Sequence, residues 1–272
     1  MEAPKKMKEF TEVAIEAALK AGDILSQHAG KVKQVGYKNE VNLVTDVDYL
    51  SEQTIIKIIR DAFPQHGILT EEAGARKSES AYKWVIDPLD GTTNYAHNFP
   101  CYCVSIALEK DGEIILGVVY NPNLDELFTA EKGAGAFISK GRQSQPDRRK
   151  ISVSQTDDLS RSLLATGFPY DIRTSSIDNL DHFRDFYKRA QGIRRAGSAA
   201  MDLCYLAMGR FDGFWELKLS PWDMAAGSLL VTEAGGEVTY FSGGAFNIYM
   251  KEILASNGKI HQQMIEVLKS AS

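Results

Sequence analysis

Asp87 and Asp90 stand three positions apart in the run Trp84-Val85-Ile86-Asp87-Pro88-Leu89-Asp90-Gly91-Thr92-Thr93. Paired carboxylates suit a hard divalent cation, and a glycine followed by hydroxyls and backbone N–H groups suits a phosphate bridged to that cation. The same residue types also build ordinary turns, and Asp-Gly by itself would mean only that. A turn does not explain the second acid at the mouth of an apolar run, nor the acids that recur elsewhere in the chain.

These acids need elements to carry them. Trp84 to Ile86 reads as a buried strand, and Pro88, with no N–H to give and a fixed φ, reads as its end, so that Asp87 and Asp90 ride a rigid turn. Glu71 and Glu72 close a short strand over 67–70, and Asp223 follows Pro221-Trp222 at the start of a helix expected over 221–234. For Asp223, stabilising the helix dipole and ligating a cation are both open. Asp46 and Asp48 stand at the start of a helix that runs to Phe63 with Leu50, Ile55, Ile58, Ile59 and Ala62 on its apolar face, before Pro64 bars continuation. Capping suits Asp46, whereas Asp48 is open.

The remaining pattern is mixed. A helix is expected over 5–29, then an irregular segment over 36–45. Strands over 101–108 and 113–120 flank Asp111-Gly112, the strongest hairpin signal in the chain, and a second pair is expected at 126–131 and 136–139. Residues 143–150, with Pro146 and the basic run Arg148-Arg149-Lys150, read as a solvated junction. Beyond it, strands (163–168, 211–217, 237–241, 253–255) alternate with helices (178–190, 198–208, 221–234, 259–268), the first of these helices with Leu180, Phe183 and Phe186 inward. The fold class is therefore α/β with α+β character. Residues 1–145 form an α+β half with an antiparallel sheet and 146–272 an α/β half, within a single catalytic unit.

Composition sets limits. At 272 residues the chain can bury a full core without disulfides, and a net charge of −5 gives no overall footprint for nucleic acid. Cys101, Cys103 and Cys204 lack zinc-site spacing and suit a reducing compartment, and the histidines are scattered, which disfavours zinc. No apolar run has the length of a membrane span or a signal segment, so the cytoplasm is the expected location. No nucleophile elbow, Walker motif or dinucleotide fingerprint accompanies the acids. Attack by water assisted by a metal is the chemistry left, and carboxylate donors favour magnesium.

Taken together, Glu71-Glu72, Asp87-Pro88-Leu89-Asp90-Gly91-Thr92 and Trp222-Asp223-Met224-Ala225-Ala226 resemble the signature of the inositol monophosphatase family, within the lithium-sensitive, magnesium-dependent phosphatase superfamily. Val44-Thr45-Asp46-Val47-Asp48 is similar to the family's N-terminal motif and sets Asp48 at its functional acid. The likeness spans nearly the whole chain. It implies the layered α/β/α/β/α sandwich of the inositol monophosphatase and fructose bisphosphatase type, usually a homodimer.

By the same resemblance, Glu71, Asp87, the Leu89 carbonyl, Asp90 and Asp223 would hold two or three Mg2+ ions. Leu89 departs from the commoner isoleucine without consequence, since only its carbonyl is used. Thr92 and Glu71 would orient the attacking water, with Asp48 behind Thr92, and Gly91, Thr92 and Thr93 would donate amides to the phosphate. Asp90, Gly197, Ser198, Ala199 and Glu216 would meet the substrate alcohol, although a salt bridge from Glu216 to Arg194 or Arg195 is an alternative. The implied substrate is a small phosphorylated polyol or sugar. Myo-inositol 1-phosphate comes first, fructose 1,6-bisphosphate alone or as a dual activity second, and sugar nucleotides such as 3'-phosphoadenosine 5'-phosphate third. A regulatory, RNA-machinery-associated binding partner that keeps the fold is the alternative of another class.

Overall fold

The computed structural model describes residues 2–31, 35–37, 43–76, 78–141 and 148–270. Helix α1 (Glu2–His28) buries the small side chains of Ala14, Ala17, Ala18 and Ala21 between Phe10 and Leu25. The antiparallel pair β1 (Val35–Tyr37) and β2 (Leu43–Thr45) leads into α2 (Asp46–Ala62). Residues 38–42, the middle of the irregular segment expected over 36–45, lie outside the described residues.

Next come β3 (Gly67–Thr70), β4 (Gly74–Arg76), β5 (Tyr82–Asp90) and the short helix α3 (Thr92–Ala96). The hairpin of β6 (Cys103–Lys110) and β7 (Glu113–Asn121) turns at Asp111-Gly112, where φ is 50° and 86°, the positive angles that match strand twist. With β8 (Glu126–Glu131), β9 (Gly135–Lys140) and β10 (Arg149–Lys150) these strands complete an eight-stranded sheet of order β10-β9-β8-β7-β6-β5-β3-β4. It is antiparallel except where β3 runs parallel to β5.

The second sheet draws on later residues. In chain order these elements are β11 (Leu163–Thr166), α4 (Leu180–Tyr187), β12 (Gly192–Arg194), α5 (Ala199–Ala207), β13 (Gly213–Leu217), α6 (Pro221–Glu233), β14 (Glu237–Thr239), β15 (Glu252–Ser256) and α7 (His261–Ser270). The strands order as β12-β11-β13-β15-β14, with β11 parallel to both its neighbours and β15 antiparallel to both of its own.

Five layers result. Helices α1 and α2 cover one face of the large sheet, α5 and α6 fill the space between the two sheets, and α4 and α7 lie on the outer face of the small sheet. The three apolar clusters fill the spaces between these layers, one of them lying on both sides of α5 and α6, so the order α/β/α/β/α follows from which faces are apolar. No helix among the described residues is long and apolar enough to cross a membrane.

Several expectations need correction. Strand β5 does not stop at Pro88 but runs to Asp90, pairing Asp87 with Ser105 and Asp90 with Cys103. Three steps on β5 oppose two on β6, a bulge that takes the proline, which has no N–H, out of the ladder without ending the strand. Leu50 is 46% exposed, because after Val47 the inner face of α2 runs through Asp48, Ser51 and Glu52 and is apolar again only from Ile55, Ile56 and Ile59. Leu180 is 50% exposed, while Phe186 carries the inward face of α4. Arg149 and Lys150 are not loop but an edge strand on β9, beside Arg148, whose guanidinium lies 3.7 Å over the Phe137 ring. The rest of the expected junction, 143–147, lies outside the described residues.

Candidate active site

A cavity of about 580 Å³ opens where β3 and β5 end and where α3, α5 and α6 begin. Glu71, Asp87, Leu89, Asp90, Gly91 and Thr92 line one wall. Gly197, Ser198 and Ala199 line a second, and Glu216 and Asp223 a third. Asp48 stands behind Thr92 and off the lining, as does Thr93.

The bulge sets the aspartates. Asp87 Oδ1 accepts the Leu89 amide at 2.9 Å, which closes the turn around Pro88. Asp90 Oδ2 accepts the Ser198 hydroxyl at 2.6 Å and the Ala200 amide at 2.7 Å, so the first turn of α5 is docked onto it. Ser198 also caps α5 through the Met201 amide at 3.3 Å, which commits its hydroxyl to holding the helix against Asp90. Asp223 does what a helix-opening acid does, accepting the Ser220 amide at 2.7 Å, and it also lines the cavity. Capping and cation binding are therefore compatible uses of one carboxylate.

Gly91 sits at φ 97°, and a Cβ there would lie 2.8 Å from the Cys101 carbonyl oxygen. That conformation turns the chain from β5 into α3 and brings Thr92 back to Leu89. Gly91→Ala is expected to cost about 2 kcal/mol or more of stability, read as a lower urea midpoint, since both the angle and the backbone contact must relax.

Thr92 has one hydroxyl proton and two acceptors in reach, Asp48 Oδ1 at 3.2 Å and the Leu89 carbonyl at 3.1 Å. Only one is served at a time. When Asp48 takes the proton, the lone pairs of Thr92 are left to accept from a water on the cavity side, and the second lone pair of the Leu89 carbonyl is left for a cation.

The electrostatics are those of crowded acids. One oxygen from each of Asp87, Asp90 and Asp223 lies within 4.8 Å of the others. Burial first, and then the carboxylates of Glu71, Asp90 and Asp223, push Asp87 well above the ordinary carboxylate range. Burial pushes Asp90 up to about 6 against the opposing Ser198 and Ala200 hydrogen bonds. Asp223 is raised well above its ordinary value by burial and then by Asp90. Among the described residues none of these three aspartates has a lysine or arginine within ion-pair distance, and Lys218 on the cavity wall is held by Asp171 at 2.7 Å. Adjacent buried carboxylates with no basic partner fit a cation, and an all-oxygen set without thiolate or imidazole fits a hard one.

Glu216 is 9% exposed, and burial pushes it up to about 8 with Arg195 opposing. No ion pair joins it to Arg194 or Arg195 among the described residues. Gly167 leaves room for it, since a Cβ at that position would lie 2.0 Å from Glu216 Oε1.

Sequence reasoning missed other parts of the site. Asn94 donates one amide group to the Cys101 and Ala196 carbonyls, each at 2.7 Å, and so straps α3 to the segment before α5. Tyr170, half exposed at the cavity, and Lys251 stand among the lining residues without any local motif to announce them. The one signal available was on α2, where polar residues interrupt the start of an otherwise apolar face.

The two-sheet sandwich with a carboxylate cluster at the junction of three helix starts presents a candidate cation site, and comparison with known proteins names the class. The sequence model of the Inositol monophosphatase family matches residues 6–272, and the chain belongs to that family. Its relatives include an inositol-1-monophosphatase of Synechocystis, 44% identical over 98% of this chain and 91% of that protein. They also include Nus factor SuhB of Pseudomonas aeruginosa, 42% identical over 97% of each. The solved structure of inositol monophosphatase from Anabaena superposes with a TM-score of 0.86 at 43% identity, covering 97% of both chains. The protein is accordingly a phosphatase of this family, a hydrolase.

Proposed function

We propose that the protein is a magnesium-dependent phosphomonoesterase that hydrolyses myo-inositol 1-phosphate to myo-inositol and phosphate. The observation that carries this reading is the cluster of Asp87, Asp90 and Asp223, with no basic partner among the described residues, beside the hydrogen-bonded pair Thr92–Asp48. Glu71, Asp87, Asp90, Asp223 and the Leu89 carbonyl would hold two or three Mg2+ ions. When bound, these ions supply positive charge that neutralises the phosphate and makes a nearby water more acidic.

The chain's own groups do the rest. Thr92, its proton turned to Asp48, accepts from the attacking water, and Glu71 holds that water's other side. The amides of Gly91, Thr92 and Thr93 donate to phosphate oxygens; the last two belong to the first turn of α3, where no intrahelical acceptor exists for them. Glu216, and the Gly197-Ser198-Ala199 segment through its backbone, receive the hydroxyls of the departing alcohol, with Asp90 between the two regions. An acid that is protonated near neutrality can both give and accept hydrogen bonds, which suits a polyol better than a second phosphate. The same reading takes the protein as a cytoplasmic homodimer, on the family resemblance.

Fructose 1,6-bisphosphate is the alternative substrate. Phosphate release from the two compounds side by side, with magnesium titrated, tests the proposal. We expect turnover that requires magnesium and a faster rate on inositol 1-phosphate. A faster rate on the bisphosphate would replace the substrate, and turnover unaffected by a chelator would overturn the metal reading. A binding role in the RNA machinery rests on names alone, the Nus factor name of the Pseudomonas relative and of relatives in Neisseria meningitidis. A variant that lacks turnover yet complements a deletion strain would favour that role.

A further inference from the structure

Helix α2 presents three buried polar side chains to the site, two serving the Asp87–Thr92 turn and the third the turn after Glu71. Asp48, Ser51 and Glu52 are each 0% exposed. Asp48 accepts from Thr92 at 3.2 Å, and Ser51 donates to the Pro88 carbonyl at 2.9 Å. Glu52 Oε2 accepts two successive amides, Glu72 N at 3.0 Å and Ala73 N at 3.2 Å, in the turn that leaves β3 directly after Glu71.

Spacing makes this a brace. Residues at i, i+3 and i+4 share one face of a helix, so a rigid rod and not a loop sets the separation between the Glu71 turn and the Asp87–Thr92 turn. Packing alone would not choose a carboxylate at 52. The next inward positions are Ile55, Ile56 and Ile59, and an apolar side chain would continue that face. A buried carboxyl group is costly, and Glu52 Oε1 has no hydrogen-bond partner among the described residues. Its other oxygen recovers that cost only through the two amides it fixes.

We propose that Glu52 is a positioning residue for the cation site: by clamping the Glu72 and Ala73 amides it holds Glu71 at a fixed distance from Asp87 and Asp90, and thereby sets cation affinity. This rests on the reading of Glu71 as a cation ligand. Glu52 itself does not touch substrate or cation, and its loss acts through Glu71.

The test compares wild type, Glu52→Gln, Glu52→Asp, Glu52→Ala and Asp90→Asn. Binding of Mn2+ is followed by the electron paramagnetic resonance of the free ion, alongside the magnesium dependence of turnover, the KM for inositol 1-phosphate at saturating magnesium, and the thermal midpoint. Glu52→Gln keeps an acceptor oxygen in place and should stay within about threefold of wild type in Mn2+ affinity. Glu52→Ala should weaken Mn2+ binding about 10- to 100-fold and raise the magnesium requirement in step, with KM at saturating metal changed by less than about threefold. Glu52→Asp, one methylene too short to reach both amides, should show the same loss, and it decides the matter if Glu52→Ala does not fold.

Mn2+ affinity within about twofold of wild type in Glu52→Asp overturns the proposal, as does a rise in KM that matches the rise in metal requirement. If wild type binds no Mn2+, or Asp90→Asn binds it as wild type does, the metal reading itself fails and this inference with it. Normal behaviour of those two with unchanged Glu52 variants removes only the role of Glu52.

Discussion

Asp90→Asn is expected to reduce phosphate release about 1000-fold or more while leaving the protein folded. The substitution removes one negative charge from the middle of the carboxylate cluster, where each unit of charge acts in a poorly solvated cavity and is worth far more than in water. It also removes the group that links the cation wall to the alcohol wall. The fold should survive for a specific reason: the Ser198 hydroxyl and the Ala200 amide both reach Asp90 Oδ2, and a single amide oxygen has two lone pairs with which to keep both. Helix α5 therefore stays docked. In chelator, the variant should melt at or slightly above wild type, because repulsion from Asp87 and Asp223 is relieved. Turnover within tenfold of wild type at saturating magnesium would show that Asp90 is not a cation ligand. A melting point lowered by about 10 °C would show that the carboxylate, and not merely an acceptor oxygen, holds α5.

How far the site was legible depended on whether its residues are neighbours in sequence. Asp87 to Thr92 are consecutive, so their spacing alone suggested two acids and a hydroxyl around one point. The cavity also gathers Glu71, Glu216 and Asp223, which the chain supplies from the turn after β3, from β13 and from α6, and only their motif context singled them out. What no local pattern gave was the backing of the site. Asn94 and Glu52 act on backbone groups of distant segments: Asn94 leaves no mark in its own neighbourhood, and Glu52 shows only as one of the polar residues that interrupt an apolar helix face.

The fold shows the same division. Long apolar elements such as α1, β6 and β7 came within a few residues of their observed bounds, because burial of one face fixes their period. Strand β12 is three residues, Gly192–Arg194, held only by parallel pairing to β11, and it has no pattern of its own to read. The errors at Leu50 and Pro88 share a physical origin. In both places a local rule, apolar inward or proline terminal, was overridden by the site: α2 turns a polar stripe toward the turns it holds, and β5 bulges so that both aspartates face the cavity.

The crowded acids also make stability depend on pH and cation together, and this is the second large effect expected. A carboxyl group raised in the folded state stays protonated over a range in which the unfolded chain is ionised, so the folded protein binds more protons and the unfolding free energy falls as pH rises. Glu216, raised to about 8 with Arg195, Asp90 and Asp202 as its charged neighbours, acts in this sense, and so do Asp87 and Asp223. Histidines act oppositely. His66, lowered to about 4 by burial and by Lys6, and His182 and His261, also lowered by burial, favour the folded state increasingly up to the ordinary histidine value of 6.5 and then no further. Between about pH 6.5 and 8.5 the acids therefore act without the histidines, joined near the top of the window by Cys101, Cys103 and Cys204, whose thiols burial also raises and which act in the same sense. In chelator, the melting temperature should fall across that window by about 5 °C or more. Magnesium binds the ionised carboxylates, so it should raise the melting temperature more at pH 8.5 than at pH 6.5. At about 100 times its dissociation constant it contributes about 2.7 kcal/mol, which for a chain of this size is about 5 to 10 °C. A melting temperature that rises with pH in chelator, or a magnesium effect equal at both ends of the window, would mean that solvent already shields the acids from one another. Repulsion among them would then no longer be the reason that the site takes a cation.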